Sequence, residues 1–97
     1  MLSNLSISGH ASIDKSFEKD ASKVKDKSLL HKIALCIESI QNAKDISEIK
    51  SLKKLKGYNL YYRIRVGDYR LGIVIENNTI DFVRCLHRKD IYKYFPK

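Results

Sequence analysis

The chain has 97 residues and 11.3 kDa, with 19 Lys and Arg against 11 Asp and Glu, a formal charge of +8. That length allows a single small domain, 1–97, and a hydrophobic share of 43% argues against wholesale disorder. Two cysteines exclude a disulfide-stapled scaffold, and the scattered His, Cys and acidic residues show no metal-ligand spacing.

Residues 1–17 lack the basic and apolar blocks of a secretory signal, and no apolar run approaches the roughly 18–20 residues of a membrane span. A cytoplasmic protein is expected. The first dozen residues have room for one short edge strand. Asp14 or Ser16 can then cap a helix running to about Val24, with Phe17, Ala21 and Val24 on one face. A second helix is predicted from about Lys27 to Asn42, where Leu29, Leu30, Ile33, Cys36, Ile37 and Ile40 form one apolar stripe. Residues 45–49 read as one short helical turn before the basic stretch 50–56, and Gly57 closes the helical half.

After Gly57 the hydrophobic period changes from 3.6 to 2. Strands are predicted over 59–66, 69–76 and 79–86, joined by Gly67-Asp68 and Asn77-Asn78, two connections suited to tight hairpins. Two-residue turns set the register. The first hairpin then places Val66 opposite Tyr69, Ile64 opposite Leu71 and Arg65 opposite Arg70. The second places Ile75 opposite Ile80, Ile73 opposite Phe82 and Tyr69 opposite Leu86. One face is apolar from Leu60 to Leu86 and must receive the helices; Arg84 is its misfit and has to snorkel or find a partner. The expected class is α+β, with two N-terminal helices on one face of a small antiparallel sheet and a short C-terminal helical turn.

The opposite face would carry Tyr61, Arg63, Arg65, Arg70, Gly72, Val74, Val83, Cys85 and His87. Arg65 against Arg70 is a like-charge cross-strand pair, which is destabilising unless an anion binds there. Gly72, opposite Arg63, would leave open floor beside the pair for a ligand. The mapping also puts Cys85 away from the face that meets Cys36, so no internal disulfide is expected.

Charge supports the same region. Residues 1–49 hold seven lysines against seven acids, whereas 50–97 hold seven lysines and all five arginines against four acids, a net of +8. A polyanionic partner is implied, and arginine suits forked contact with phosphate. His87, Arg88 and Tyr92 follow the last strand, and no paired carboxylates accompany them on the polar face. These groups suit cleavage of RNA by its own 2′-hydroxyl, a reaction that requires the phosphate to be held, charge to be neutralised and protons to be moved. A tyrosine can move the proton where neighbouring cations favour its phenolate, and a histidine needs no such help. Nuclease and passive nucleic-acid binder both fit at this point.

The run Leu55-Lys56-Gly57-Tyr58, then Tyr62-Arg63-Ile64-Arg65-Val66-Gly67-Asp68-Tyr69-Arg70, then His87-Arg88-Lys89-Asp90-Ile91-Tyr92, resembles the RelE/ParE superfamily of bacterial toxins from type II toxin–antitoxin modules. The resemblance covers most of the chain and implies the RelE-like fold. It further implies a metal-free, cofactor-free endoribonuclease that cuts mRNA in the ribosomal A site, leaves a 2′,3′-cyclic phosphate and is blocked by an acidic antitoxin. In these roles Arg65 and Arg70 clamp phosphate, Arg88 stabilises or protonates the leaving oxygen, and Tyr92 or His87 serves the 2′-hydroxyl. Lys53, Lys54, Lys56, Arg63 and Lys89 would line the RNA path. ParE-type relatives share the fold but inhibit DNA gyrase and cleave nothing, which is the alternative.

Overall fold

The computed structural model describes residues 11–77 and 79–96. Strand β1 (Ala11–Ile13) leads into helix α1 (Lys15–Ser22) and helix α2 (Lys27–Asn42). A single 3-10 turn (Ile46–Glu48) and strand β2 (Leu52–Lys54) follow, then β3 (Tyr61–Val66), β4 (Tyr69–Glu76), β5 (Thr79–His87) and helix α3 (Ile91–Tyr94). The sheet order is β1-β5-β4-β3-β2, antiparallel throughout except for the parallel β1–β5 edge. Among the described residues no helix is long and apolar enough to cross a membrane.

Local chemistry accounts for most of these elements. Asp14 stands at the N-cap of α1 in extended backbone, and the Asp26 carboxylate caps α2 by accepting from the Leu29 N–H at 3.1 Å. Asp45 starts the 3-10 turn by accepting from the Ser47 N–H at 2.8 Å. Gly67 (φ +59°) and Asn77 (φ +52°) supply the left-handed residues that their hairpins need; Asn78 lies outside the described residues. The expected edge strand is β1, while the rest of its predicted segment, 1–10, also lies outside them.

Two differences from the sequence reading matter for the site. Residues 52–54 form an edge strand rather than a run-up to Gly57. Lys53 pairs with Arg63 and Lys54 with Tyr62, so the hydrogen-bonding groups of β3 draw this lysine-rich segment into the sheet. Gly57 (φ +87°) instead sits in the turn between β2 and β3.

The second difference is a β-bulge. The predicted register holds at Ile75–Ile80 and Ile73–Phe82, then slips by one residue between Gly72 and Ile73. Gly72 faces Arg84, Leu71 faces Cys85, and Tyr69 faces His87 rather than Leu86. One extra residue in β5 reverses the side of everything beyond it. Cys85 therefore enters the helix-side core with Phe17, Ile33, Ile40, Ile64, Leu71, Ile73, Ile80 and Phe82, and Leu86 leaves it. The expected separation of Cys85 from Cys36 fails for this reason, although both thiols are free. Leu60, placed on the apolar face by alternation, lies just before β3 and is exposed.

Leu86 joins a second apolar cluster on the opposite face, where Leu55, Ile91 and Phe95 are buried against Tyr61 and Val83. The sheet is thus covered on both sides at its C-terminal end. The bulge also takes Arg84 off the apolar face where alternation had placed it and sets it opposite Gly72, where β5 has passed the end of β1, and there it finds a partner. Its guanidinium forms a forked pair with Asp20 of α1 at 2.7 and 3.1 Å, and the Cys85 N–H donates to the same carboxylate at 3.0 Å. The Arg84 Cζ also lies 5.9 Å from the ring centre of Tyr94 on α3.

Candidate RNA-binding and cleavage site

Alternation along β2, β3 and β4 brings Lys53, Arg63, Arg65 and Arg70 to one face. Lys53 stands directly opposite Arg63, and Arg65 directly opposite Arg70. Two like-charge cross-strand pairs side by side are unfavourable for an isolated sheet, since each is destabilising in itself. The Arg70 guanidinium is held in the cluster by its Nη1, which donates to the Gly67 carbonyl at 3.0 Å and to the Tyr69 carbonyl at 2.9 Å. Partial burial, and then the charges of Arg63 and Arg65, push the Arg70 pKa below its ordinary value, with Arg88 acting in the same direction. Such a concentration of positive charge attracts an anion.

Arg88 is held at the mouth of the β3–β4 hairpin. Its backbone N–H donates to the Asp68 carbonyl at 2.7 Å, and its side chain remains exposed with Nε 3.9 Å from the Asp68 carboxylate. Tyr92 comes from α3. Ile91 is buried beneath it and Phe95 is buried beyond it, so the short helix is docked and the Tyr92 ring projects outward. The Arg63 Nε–H donates to the Tyr92 Oη at 2.9 Å. The structure thus gathers Arg63, Arg65, Arg70, Arg88 and Tyr92.

His87 does not join them. The bulge turns it to the helix side, where its ring meets Tyr69 edge-on at 5.6 Å and its Nδ1 accepts from the Lys89 N–H at 3.1 Å. The regular alternation that placed it beside the arginines ends at Gly72. Of the expected RNA-path residues, Lys53 and Arg63 lie on the cationic face. Lys54 shares its register position with Tyr62, on the helix side, and lines a neighbouring cleft. Lys56 and Lys89 are exposed in turns.

The open floor at Gly72 is also filled. A Cβ added there would lie 2.8–2.9 Å from ring atoms of Phe95, so the glycine is a seat for that side chain and not a vacancy for a ligand. Phe95 was absent from the sequence-based candidates. Its signal was an apolar residue four positions after Ile91, in register with the glycine only once α3 is folded back.

Residues 11–92 match the family model described as the ParE toxin of the type II toxin–antitoxin system parDE. The chain is 49% identical over 83 residues to Toxin RelE3 of Methanocaldococcus jannaschii, covering 84% of this chain and 93% of that protein. It superposes on the toxin–antitoxin complex described as RelB-RelE from Methanococcus jannaschii with a TM-score of 0.72 and 47% identity, over 87% of this chain and 98% of that one. The archaeal RelE-RelB complex from Pyrococcus horikoshii shares the fold at a TM-score of 0.65 and 19% identity, over 81% and 93% of the two chains. An archaeal relative extends the resemblance beyond the bacterial toxins first named. The chain belongs to the ParE toxin family and is a toxin of the RelE/ParE superfamily of type II toxin–antitoxin systems.

Proposed function

We propose that this toxin is a metal-independent, ribosome-dependent endoribonuclease that cleaves mRNA in the A site and so halts translation in the cytoplasm. The observation carrying the reading is the gathering of Arg63, Arg65, Arg88 and Tyr92 around Arg70, with Arg63 bonded to the Tyr92 oxygen. The 49% identity to a protein named RelE3 supports it.

In this mechanism the arginines on β3 and β4 hold the scissile phosphate and neutralise the charge that grows on its oxygens. The substrate's 2′-oxygen forms a bond to phosphorus while Tyr92 serves as the general base for its proton. The bond to the 5′-oxygen breaks, and that oxygen takes up a proton from water or from Arg88, which stabilises its charge. The products are a 2′,3′-cyclic phosphate and a 5′-hydroxyl. In-line orientation of the 2′-hydroxyl would come from the ribosome, a contribution of several kcal/mol when well arranged. RelE of Methanococcus jannaschii is paired with an antitoxin, RelB; for this chain, a cognate antitoxin of acidic character would cover the cationic face.

The family description as a ParE toxin favours one second reading, a DNA gyrase inhibitor without nuclease activity. Toeprinting and 5′-end mapping in a purified translation system separate the two. Cuts within the A-site codon that vanish with Arg88→Ala and Tyr92→Phe are the expected result. Intact mRNA at excess protein, together with inhibited supercoiling, would transfer the assignment to gyrase.

A further inference from the structure

The phosphate chemistry leaves one neighbouring feature unused. A cleft of about 410 Å³ lies beside Arg63, between β2, the turn at 55–58 and α3. Lys53 and Lys56 line it, Tyr58 and Tyr92 bound it, and Phe95 contributes to its floor. Both tyrosines are unusually exposed for aromatic side chains, Tyr58 at 47% and Tyr92 at 63%. Arg63 belongs to the cleft and to the arginine cluster alike, so the two sites are continuous.

Tyr58 is also held in place. Gly57 permits the turn with its positive φ, and the Tyr58 N–H closes it on the Leu55 carbonyl at 3.2 Å. The Tyr58 ring meets Tyr61 edge-on at 5.2 Å, and Tyr61 meets Phe95 edge-on at 5.6 Å. This ladder runs from the seat on Gly72 to the cleft wall. An aromatic group so fixed, yet half exposed and flanked by cations, has the features of a stacking platform for a base whose phosphate is bound alongside.

We propose that this cleft is a nucleobase subsite, in which Tyr58 stacks on the base adjoining the phosphate held by the arginine cluster. The subsite rests on the RNA-binding reading above and assigns to Tyr58 a role in substrate positioning and base preference. Tyr58 leaves the proton transfers to other groups. An apolar peptide segment fits less well, because the ring faces are flanked by the ammonium groups of Lys53, Lys54 and Lys56 and by the Arg63 guanidinium.

The test uses the intact protein and a 2′-fluoro RNA tetramer, which lacks the nucleophile and stays uncut. A companion set has each base removed in turn. Binding is followed by NMR of the tyrosine rings and arginine side chains. The intact tetramer should shift the Tyr58 ring signals, and one abasic member should bind roughly tenfold more weakly or worse. Tyr58→Leu should bind that member and the intact tetramer equally, while Tyr58→Phe restores the difference. Thermal melts matching wild type show that the variants are folded. If Arg65 and Arg70 signals respond to every oligomer, but Tyr58 stays still and Tyr58→Leu still discriminates, the subsite is refuted and the phosphate site stands. If no arginine responds to any oligomer, both readings fall.

Discussion

Phe95 is seated on Gly72, and a Cβ at that glycine would come within 2.8 Å of the ring's Cγ. Gly72 lies between Arg63 on β3 and Arg84 on β5, so the aromatic ring occupies a gap between two arginine positions. This contact docks the end of α3, and α3 presents Tyr92 to Arg63. Structure and site are joined at one glycine.

Replacing Gly72 by Ala should therefore cost about 1–3 kcal/mol through overpacking, and Gly72→Val more. Activity should fall with it, because lifting Phe95 moves Tyr92. In a Phe95→Ala background the Gly72→Ala cost should shrink by most of its value, since the clash is gone. Urea titrations of the four proteins measure this coupling; equal costs in both backgrounds would rule out the seat.

The Arg65–Arg70 pair leads to the opposite sign. Arg65 is exposed and adds repulsion to an Arg70 whose protonated form is already disfavoured by burial and by its neighbours. Arg65→Ala should leave the Tm equal or slightly raised while weakening RNA or antitoxin binding. Phosphate should raise the wild-type Tm more than chloride at matched ionic strength, and this difference should narrow in Arg65→Ala. Differential scanning calorimetry reads both effects.

Arg84 and Asp20 behave in the reverse manner. The Asp20 carboxylate is only 6% exposed and accepts from the Arg84 Nε and from the Cys85 N–H. Truncating Arg84 strands that charge, so Arg84→Ala should cost about 3 kcal/mol or more. Arg84 also loses its contact with the Tyr94 ring. Arg84→Ala paired with Asp20→Asn, which removes the stranded charge and keeps an acceptor for the Cys85 N–H, should recover a large part of the loss; a double variant as unstable as the sum of the singles would contradict the pairing.

Burial, and secondarily the Asp20 charge, push the Cys85 thiol up to about 12. The unfolded thiol ionises near its ordinary value of about 8.5. Above that pH the folded chain keeps a proton that the unfolded chain releases, so this group's contribution to stability is lost as pH rises toward 12. The slope approaches about 1.4 kcal/mol per pH unit in that window. Cys85→Ala should lower stability at neutral pH yet show a shallower decline between pH 9 and 11. Parallel curves for the two proteins would show that the thiol does not titrate in this way.

How much was readable before folding follows from the range of each interaction. The stripe from Leu29 to Ile40 and the turns at Gly67 and Asn77 depend on residues a few positions apart, and they were recoverable from the order of the chain. The Arg65–Arg70 and Arg63–Gly72 pairs followed because a two-residue turn transmits its register along one regular hairpin. Alternation marked Arg84 as a charge in need of a partner but on the wrong face, because the bulge sets it opposite Gly72; the partner, Asp20, is the acid three residues after Phe17 on α1.

The rest was decided by contacts between distant segments. Lys53 and Lys54 become strand because β3 has an edge to pair, a condition absent from their own composition. The bulge at Gly72 separates His87 from the arginines and brings Cys85 into the core, and local patterning holds no record of a one-residue slip at Val83, well beyond the Asn77-Asn78 turn. Phe95 reaches Gly72, and Tyr92 reaches Arg63, only when α3 folds back over the sheet. Sequence determined that Arg63, Arg65 and Arg70 would share a face, because alternation and turn length within one hairpin are local. Tertiary packing decided which aromatic rings stand among them, because that depends on where the end of the chain comes to rest.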